Sequence, residues 1–358
     1  MLSKNAGALR TSKYLRHLLQ ETGDGMTSIR FSNDSEPGIR RHQKKDGFLY
    51  FKNGKLIRDE ATLRRIRRLA VPPAWQNVWI CADANGHLQA TGLDMLGRKQ
   101  YRYHEEWSKT RNETKFHKLY TVGKALPKIR KRLRKDLSLP GLPLQKVLAA
   151  AVSLIEASSI RPGSNLYEKH YGSFGITTLK DRHVKFQGAK MIFRFRGKKG
   201  VEQRFSIRNK KLSTIIKQCR DIPGKELFQY YDENGGHHHI DSGTLNNYLK
   251  EISEEDITAK DLRTWTGSVK ALVCFRDLGK AANAGEQKRK TVTALDEVAK
   301  HLGNTRAVCK KYYVYPQIIS LYEDDLLEKH FRVRYKCKAL DLSQEEKVLM
   351  KLLKNGSQ

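Results

Sequence analysis

The sequence lacks any long apolar run. No segment reaches the roughly 18 apolar residues that a helix needs to cross a membrane. The longest candidate, residues 147–155, contains Ser153 and predicts a buried helix. The first thirty residues also lack the apolar core of a secretory signal peptide. These absences argue against a membrane-spanning or exported protein.

Cysteine is scarce, and its positions are far apart. The five cysteines form no CxxC pair, so neither a disulfide framework nor a zinc site is indicated. We expect a reducing, cytoplasmic location, associated with the nucleoid if the source is bacterial. Three consecutive histidines, residues 237–239, follow two glycines and predict a turn rather than a metal site. Neighbouring side chains in an extended segment point to opposite faces, so they rarely converge on one ion. No cofactor is predicted.

Acidic residues are few for the number of basic ones. Asp and Glu total 38 against 69 Lys and Arg, which gives a formal net charge of +31. The positive residues extend from Lys4 to Lys354, which indicates a charged folded surface rather than a basic tail. A polyanionic partner is the simplest explanation, and nucleic acid is favoured. A ribosomal-type protein and a binder of anionic membranes would have a similar composition.

The length of 358 residues is enough for two packed cores. We expect a helix and an irregular arm up to about residue 35, then a hairpin around Asn53-Gly54. A basic helix capped by Asp59 follows, and then strands around residues 78–81, 87–91 and 100–104. The first domain, residues 1–114, is therefore predicted to be a small antiparallel sheet with helices.

Helical periodicity dominates from about residue 115, which predicts a mostly helical domain over residues 115–358 with a β-hairpin region at about 184–207. The main later helices are expected at residues 246–252, 269–280 and 292–302. Ser343 and Glu346 have the spacing of a capping box for a last helix that ends near Lys354. The fold class is thus α+β.

Breaking a phosphodiester without a metal needs a nucleophile, cations for the developing charge, and an acid for the leaving oxygen. Arg161 stands in IRPGSNLY, directly after the apolar helix, and YGSFGITTL follows at residues 171–179. Together with Arg182-His183-Val184, this stretch resembles the signature around the first catalytic arginine of type IB DNA topoisomerases, especially the small bacterial and poxviral ones.

Two further motifs resemble the same family. The sequence FRFRGKKGV, residues 193–201, predicts two strands and a tip that carries Lys198, the family's general acid. A lysine in a hairpin turn, taken alone, is usually only solvated. The sequence TAKDLRTW, residues 258–265, is similar to the second-arginine motif and makes Arg263 catalytic. Lys260, three residues earlier, would share its helix face and contact DNA, although an ordinary surface charge pair is the alternative.

The segment LGNTRAVCKKYYVYP, residues 302–316, contains three tyrosines. In the family, the attacking tyrosine lies nine residues after a His or Asn that binds the phosphate, and 313 − 304 = 9 selects Tyr313 with Asn304. A tyrosine cluster alone more often belongs to a core or a stacking surface, because an ordinary phenol, with a pKa of about 10, is a poor nucleophile. The two arginines are expected to change that balance.

The first domain resembles the family's smaller clamp domain at PPAW, VWI, GHLQATG and GRKQYRYH, all within residues 72–104. The resemblance implies that Gln100, Tyr101 and Tyr103 face the DNA major groove and that Tyr167 plays a similar part from the second domain. A packed strand is the alternative, because Tyr101 and Tyr103 share one face. Departures from the family pattern are Pro162, Ser164-Asn165 and Arg306.

The resemblance covers residues 30–320 and implies a monomeric clamp around duplex DNA. It also implies relaxation of supercoils through a 3′-phosphotyrosyl intermediate, strand swivelling and religation, without ATP or metal. Two other classes stay open at this point. A tyrosine site-specific recombinase uses nearly the same chemistry, and a non-catalytic architectural DNA-binding protein would need only the positive charge.

Overall fold

The computed structural model of the protein describes residues 29–95 and 97–355, so the predicted amino-terminal helix lies outside the described residues. The chain divides into two compact units, with the boundary between Glu113 and Thr114. None of the helices in the described part is long and apolar enough to cross a membrane.

The first unit contains a six-stranded antiparallel sheet with the strand order β3-β2-β1-β4-β5-β6. The strands are β1 Gly38–Lys44, β2 Gly47–Lys52, β3 Lys55–Leu56, β4 Gln76–Cys81, β5 Leu88–Leu93 and β6 Lys99–Tyr103. The predicted hairpin is confirmed, because Asn53 and Gly54 join β2 to β3 with φ angles of 49° and 76°. Positive φ at both positions suits the twist of a two-residue hairpin.

Helix α1, Glu60–Arg68, packs on this sheet. The Asp59 side chain accepts hydrogen bonds from the backbone nitrogens of Ala61 and Thr62, which confirms the predicted cap. Ile66 is buried with the sheet residues Ile39, Val78, Ile80 and Ala90. Arg65 is not a solvent-facing arginine: it donates to the Cys81 carbonyl at 2.7 Å and to Gln89 Oε1 at 2.9 Å. Its stem lies along the sheet while its charged end satisfies buried acceptors.

Helices make up most of the second unit, as predicted. They are α2 Glu105–Asp136, α3 Leu144–Ser158, α4 Asn165–Tyr171, α5 Lys210–Arg220, α6 Ser242–Ser253, α7 Ala259–Leu278, α8 Ala284–Leu302, α9 Arg306–Tyr312, α10 Pro316–Glu323, α11 Glu328–Phe331 and α12 Gln344–Asn355. Helix α2 begins in the first unit, ten residues earlier than expected. Helix α3 is buried on most sides, with residues 149–152 fully enclosed, as the apolar run predicts.

The β region of the second unit is a three-stranded antiparallel sheet, β7 Val184–Gln187, β8 Lys190–Arg196 and β9 Glu202–Arg208, which confirms the prediction. A separate two-stranded ribbon pairs β10 Gln229–Tyr231 with β11 His237–His239. The turn prediction for the three histidines was wrong, because they form strand β11. Their backbones pair with those of β10 across the ribbon, and all three side chains are exposed.

Candidate active site

Arg161 lies just beyond the end of α3, where Ser159 adopts a left-handed φ of 57° and ends the helix. The backbone of this segment is held by residues 175–177: Ile176 N donates to Arg161 O at 2.8 Å, and Thr177 N donates to Pro162 O at 2.8 Å. A methyl group on Gly175 would lie 2.6 Å from Arg161 O, so only glycine permits this approach. The arginine therefore projects from a fixed backbone.

The Arg161 guanidinium reaches the loop after α8. Its Nη2 donates to Gly303 O at 2.9 Å and also to Asn304 Oδ1. Burial lowers the pKa of Arg161, although Tyr313 and Cys309 act in the opposite direction. The group stays protonated at neutral pH, because the delocalised guanidinium charge of an arginine is not lost in proteins.

Arg263 lies in the second turn of α7 and is only 3% exposed. Its Nη2 donates to the Leu302 carbonyl at 3.0 Å. Burial, followed by the charge of Arg161, lowers the pKa of Arg263 to about 10, while a side-chain hydrogen bond with Tyr313 favours the charged form. The two catalytic candidates therefore lie close enough to repel each other. An anion between them would relieve that repulsion.

Both arginines bind the carboxyl end of helix α8. The helix ends at Leu302 and is capped by Gly303 with a left-handed φ of 59°. The carbonyls of the last helical turn have no partner within the helix, and they carry the negative end of its dipole. Here the last of these carbonyls, Leu302 O, accepts a hydrogen bond from Arg263, and the carbonyl of the capping Gly303 accepts one from Arg161. Both cations are thereby fixed beside Asn304.

Asn304 leaves one donor unused. Its Nδ2 is buried and has no oxygen or nitrogen acceptor among the residues that the structure describes; a polar neighbour there is the Cys309 sulfur, which is a weak acceptor. A buried amide nitrogen without an acceptor costs about 1 to 3 kcal/mol, so such a group usually marks a binding site or an internal water. The neighbouring Arg161 makes an anionic oxygen the natural acceptor for this nitrogen.

Tyr313 follows directly after α9 and lies against helix α7. The guanidinium carbon of Arg263 is 5.6 Å from the centre of the Tyr313 ring. Ser268 Oγ donates to Tyr313 O at 3.2 Å and accepts from Tyr315 N at 3.0 Å. A methyl group on Gly267 would lie 2.7 Å from Tyr313 O. Gly267 and Ser268, one turn beyond Arg263, thus hold the backbone of residues 313–315 against helix α7.

The other two tyrosines of the cluster have different surroundings. Tyr312 is 39% exposed, with Lys311 Nζ 5.5 Å from its ring centre. Burial raises the pKa of Tyr315, whose hydroxyl donates to Gln317 Oε1 at 3.0 Å. Of the three, Tyr313 is the tyrosine beside Arg263, in line with the predicted choice of nucleophile.

Cys309 is a buried member of this cluster that the sequence did not single out. It lies one helical turn before Tyr313, whose backbone nitrogen donates to Cys309 O at 2.9 Å. Burial raises the pKa of the Cys309 thiol to about 11, against the effect of the charges of Arg263 and Arg161 and of a hydrogen bond with Asn304. The thiol is therefore neutral and packs as a small apolar group.

Lys198 occupies the tip of the β8–β9 hairpin and is exposed. The turn is closed by Gly197 N, which donates to Val201 O at 2.8 Å. Lys199 and Gly200 both have positive φ, 60° and 79°. The predicted hairpin position of Lys198 is therefore observed, and its aliphatic stem can reach outward from a tight turn.

The predicted DNA contacts are mostly exposed. Tyr101 and Tyr103 are 48% and 36% exposed, and their rings are stacked 6.1 Å apart. These exposures exclude the alternative in which both rings are buried under a helix. Gln100 points to the other face of β6 and donates to Asp94 Oδ2 at 3.0 Å. In the second unit, Tyr167 is 39% exposed on α4, and Lys260 is exposed in the first turn of α7.

Lys260 and Arg263 were predicted to share one helix face. Their side chains differ in exposure to solvent, because Lys260 is exposed and Arg263 is buried. Within the described residues, no group of three or more His, Cys, Asp or Glu side chains could hold a metal ion. The guanidiniums of Arg161 and Arg263 both interact electrostatically with Tyr313.

A phenol beside one buried and one half-buried guanidinium, with an unused amide donor, is suited to accepting a phosphoryl group. The cations can stabilise both a phenolate and the extra charge of a phosphorane-like transition state. This chemistry defines the class of enzymes that break nucleic-acid strands through a tyrosine.

Comparison with known proteins identifies the family. The family model "Eukaryotic DNA topoisomerase I, catalytic core" matches residues 98–336, and "Bacterial DNA topoisomerase IB, N-terminal domain" matches residues 47–94. The chain is 32% identical over 297 residues to the DNA topoisomerase 1B of Acanthamoeba polyphaga mimivirus, covering 80% of this chain and 88% of the viral protein. It is 22% identical over 296 residues to the DNA topoisomerase 1B of vaccinia virus (strain Copenhagen) and the DNA topoisomerase I of monkeypox virus, covering 77% of this chain and 90% of each relative. The chain belongs to the type IB DNA topoisomerase family.

Proposed function

We propose that this type IB topoisomerase relaxes supercoiled duplex DNA by cutting one strand with Tyr313, letting it swivel, and rejoining it. The Tyr313 oxygen forms a bond to the scissile phosphorus while the bond from phosphorus to the 5′-oxygen breaks. The products are a 3′-phosphotyrosyl end and a free 5′-hydroxyl. The phenolic proton passes to solvent, and the 5′-oxygen takes a proton from Lys198. Rejoining reverses each step.

The buried Nδ2 of Asn304 is the observation that carries this proposal. It is a donor without an oxygen or nitrogen acceptor among the described residues, beside Arg161 and two residues after the carbonyl bound by Arg263. A nonbridging oxygen of the scissile phosphate would supply the missing acceptor. We therefore assign Asn304, Arg161 and Arg263 to the nonbridging oxygens.

The burial of Arg263 and the partial burial of Arg161 support a role in the transition state. A charge that is shielded from water interacts strongly with an anion, because little solvent screens it. The transition state carries more negative charge around the phosphorus than the ground state, so the fixed cations favour it more. Lys198, assisted by Lys260, is assigned to the leaving oxygen, where an exposed lysine can act once DNA is bound.

The reaction is proposed to need neither ATP nor a metal ion. One phosphodiester is exchanged for another of similar energy, so no external energy source is required. Arg161, Arg263 and Lys198 supply the positive charge and the proton that a metal-bound site would otherwise provide. The torsional strain of the supercoil gives the reaction its direction.

We further propose that one copy of the chain acts as a clamp on the duplex in the compartment that holds DNA. Tyr101 and Tyr103 of the first unit and Tyr167 of the second present exposed rings, which is the form that groove contact requires. Gln100 and Lys260 are assigned to the same interface. Gln100 would have to leave Asp94 to reach a base.

The direct test is to identify the residue that becomes attached to DNA. Denaturant added during cleavage of a labelled duplex should trap a covalent adduct, and digestion should yield the label on the peptide that contains Tyr313. Plasmid relaxation in EDTA without nucleotide should proceed at the full rate. Label on a peptide without Tyr313, or relaxation that depends on metal, would contradict the proposal.

A further inference from the structure

Gln203 is a polar residue at an inward position of strand β9. Residues alternate along this strand, and the next inward residues, Phe205 and Ile207, pack against the main core. Gln203 is half-buried and pairs across the hairpin with Phe195, close to the turn that carries Lys198. A polar side chain at the inward position nearest the tip calls for a specific contact.

That contact is with two glycines. A methyl group built on Gly303 would lie 2.6 Å from both Nε2 and Oε1 of Gln203. A methyl group built on Gly197 would lie 2.8 Å from Gln203 Cγ. The side chain therefore fills the space between the first residue of the Lys198 turn and the residue before Asn304.

The glycine at 303 also belongs to the phosphate site, because its carbonyl accepts a hydrogen bond from Arg161 at 2.9 Å. Gln203 thus connects the hairpin of the exposed Lys198 with the loop that holds Arg161 and Asn304. We propose that Gln203 is a positioning residue, which holds the Lys198 turn in register with the phosphate at Asn304. This inference rests on the proposed acid role of Lys198.

The physical reason is the freedom of the turn. Lys198 has a long flexible side chain, and its turn is flanked by Gly197 and Gly200. A proton donor misplaced by about 1 Å can cost about 10²-fold in rate. Contact of the Gln203 amide with Gly303 prevents the tip of the hairpin from shifting relative to the Asn304 loop. The apolar residues Phe205 and Ile207 lie farther from the tip and cannot fix its position alone.

The test compares two leaving groups in single-turnover cleavage. One DNA has the ordinary 5′-oxygen, and the other has sulfur bridging at that position. A thiol with a pKa of about 8.5 leaves without a proton donor, whereas an alkoxide does not. Gln203→Ala should slow cleavage of the oxygen substrate by about 10- to 100-fold and leave cleavage of the sulfur substrate unchanged. DNA affinity should be kept.

Lys198→Ala is measured beside it, and Gln187→Ala serves as the matched control. Gln187 is an exposed glutamine at the far end of the same sheet, so its removal should change neither rate. If Lys198→Ala is slow only with oxygen but Gln203→Ala slows both substrates or neither, the positioning role is overturned and the proposed mechanism stands. If Lys198→Ala slows both substrates equally, the acid role fails, and this inference fails with it.

A double-mutant cycle tests the contact itself and does not depend on the stability of one variant. Gly303→Ala is made in wild type and in two Gln203 variants. It strains the left-handed backbone equally in all of them, and this backbone cost therefore cancels when the effects are compared. The collision of the new methyl group with the Gln203 amide is present only in the wild-type background. Gly303→Ala should therefore slow cleavage of the oxygen substrate more in wild type than in Gln203→Ala or in Gln203→Ser. Equal penalties in the three backgrounds would refute the contact.

Discussion

The guanidinium carbon of Arg263 lies 5.6 Å from the centre of the Tyr313 ring, on a side chain whose Nη2 is held by the Leu302 carbonyl. A guanidinium can donate to that carbonyl and still direct other N–H groups toward a phosphate. The ammonium of lysine has one nitrogen and no such fork. The geometry of Arg263 therefore depends on its being arginine and not only on its charge.

We expect Arg263→Lys to slow covalent adduct formation by about 10²-fold, because one transition-state contact is lost while the charge is kept. Rapid-quench assays of adduct formation on a labelled duplex measure this effect. Arg276→Lys, an exposed arginine on the same helix that pairs with Asp277, is the control and should retain the wild-type rate. A mild effect of Arg263→Lys, similar to that of the control, would contradict a bidentate role.

Tyr313→Phe should abolish the adduct and reduce plasmid relaxation by more than about 10⁴-fold, because the phenol oxygen is the proposed nucleophile. DNA binding, measured by filter retention, should stay close to wild type because the ring is kept. Tyr312→Phe is the matched control, since Tyr312 is the exposed neighbour of the same type. If Tyr312→Phe lost relaxation while Tyr313→Phe kept it, the nucleophile would be Tyr312 and the present assignment would be wrong.

Asn304 is expected to act through its buried amide nitrogen. Asn304→Ala should slow cleavage by about 10²-fold, the usual cost of one donor in such a site. Asn304→Asp should slow it more, because a carboxylate would face the phosphate. Asn283→Asp makes the same change at the other end of α8, where the side chain caps the helix and Asp serves equally well. Equal rates for Asn304→Ala and Asn304→Asp would argue against phosphate contact.

Local features of the fold could be predicted from the sequence. The Asn53-Gly54 hairpin and the Asp59 cap depend on residues within a few positions of one another. The Ser343 and Glu346 capping box is also observed, with Glu346 N donating to Ser343 Oγ at 3.3 Å. Turns and caps are short-range interactions, so their signals survive in a single sequence.

Features that depend on tertiary contact could not be predicted. Helix α7 begins at Ala259, ten residues before the predicted start at Val269. The prediction started too late because residues 264–267 contain a glycine and two threonines, which have low helix propensity. Gly267 is there because the Tyr313 backbone approaches it. Similarly, the hydrogen bond from Arg161 to Gly303 joins residues 142 positions apart. The motifs identified the catalytic candidates, but the carbonyls and glycines that hold them become apparent only in the folded chain.

DNA affinity should fall steeply with salt, because each neutralised phosphate contributes about −0.9 to the slope of log K against log salt concentration. If Lys260 contacts a phosphate, Lys260→Ala should reduce the magnitude of that slope by about one. The control is Lys280→Ala, beyond the other end of α7, where the lysine pairs with Asp325 at 2.9 Å. Titrations of a labelled duplex at several salt concentrations measure both. An unchanged slope for Lys260→Ala would remove Lys260 from the interface.

The last helix supports α7 through a buried carboxylate. Glu346 accepts hydrogen bonds from Arg130 Nη2 at 2.8 Å and from Trp265 Nε1 at 2.9 Å. Burial alone would raise the pKa of Glu346, but the hydrogen bond and charge of Arg130 dominate and hold it below its ordinary value. Glu346→Gln should destabilise the protein by about 2 to 3 kcal/mol. This is no more than the smallest usual cost of breaking a buried ion pair, because Arg130 keeps its second partner, Glu156.

The sign of the pH dependence follows from the lowered pKa of Glu346. A carboxylate with a depressed folded-state pKa contributes stability above its unfolded-state pKa, whose reference value is 4.5, and loses it as the pH falls through the folded value. The gap between wild type and Glu346→Gln in urea unfolding should therefore be full near neutral pH and close in acid. Glu328→Gln, which breaks an exposed pair with Arg332, should cost at most about 0.5 kcal/mol. A gap for Glu346→Gln that persists unchanged in acid would mean that the charge on this side chain does not stabilise the fold.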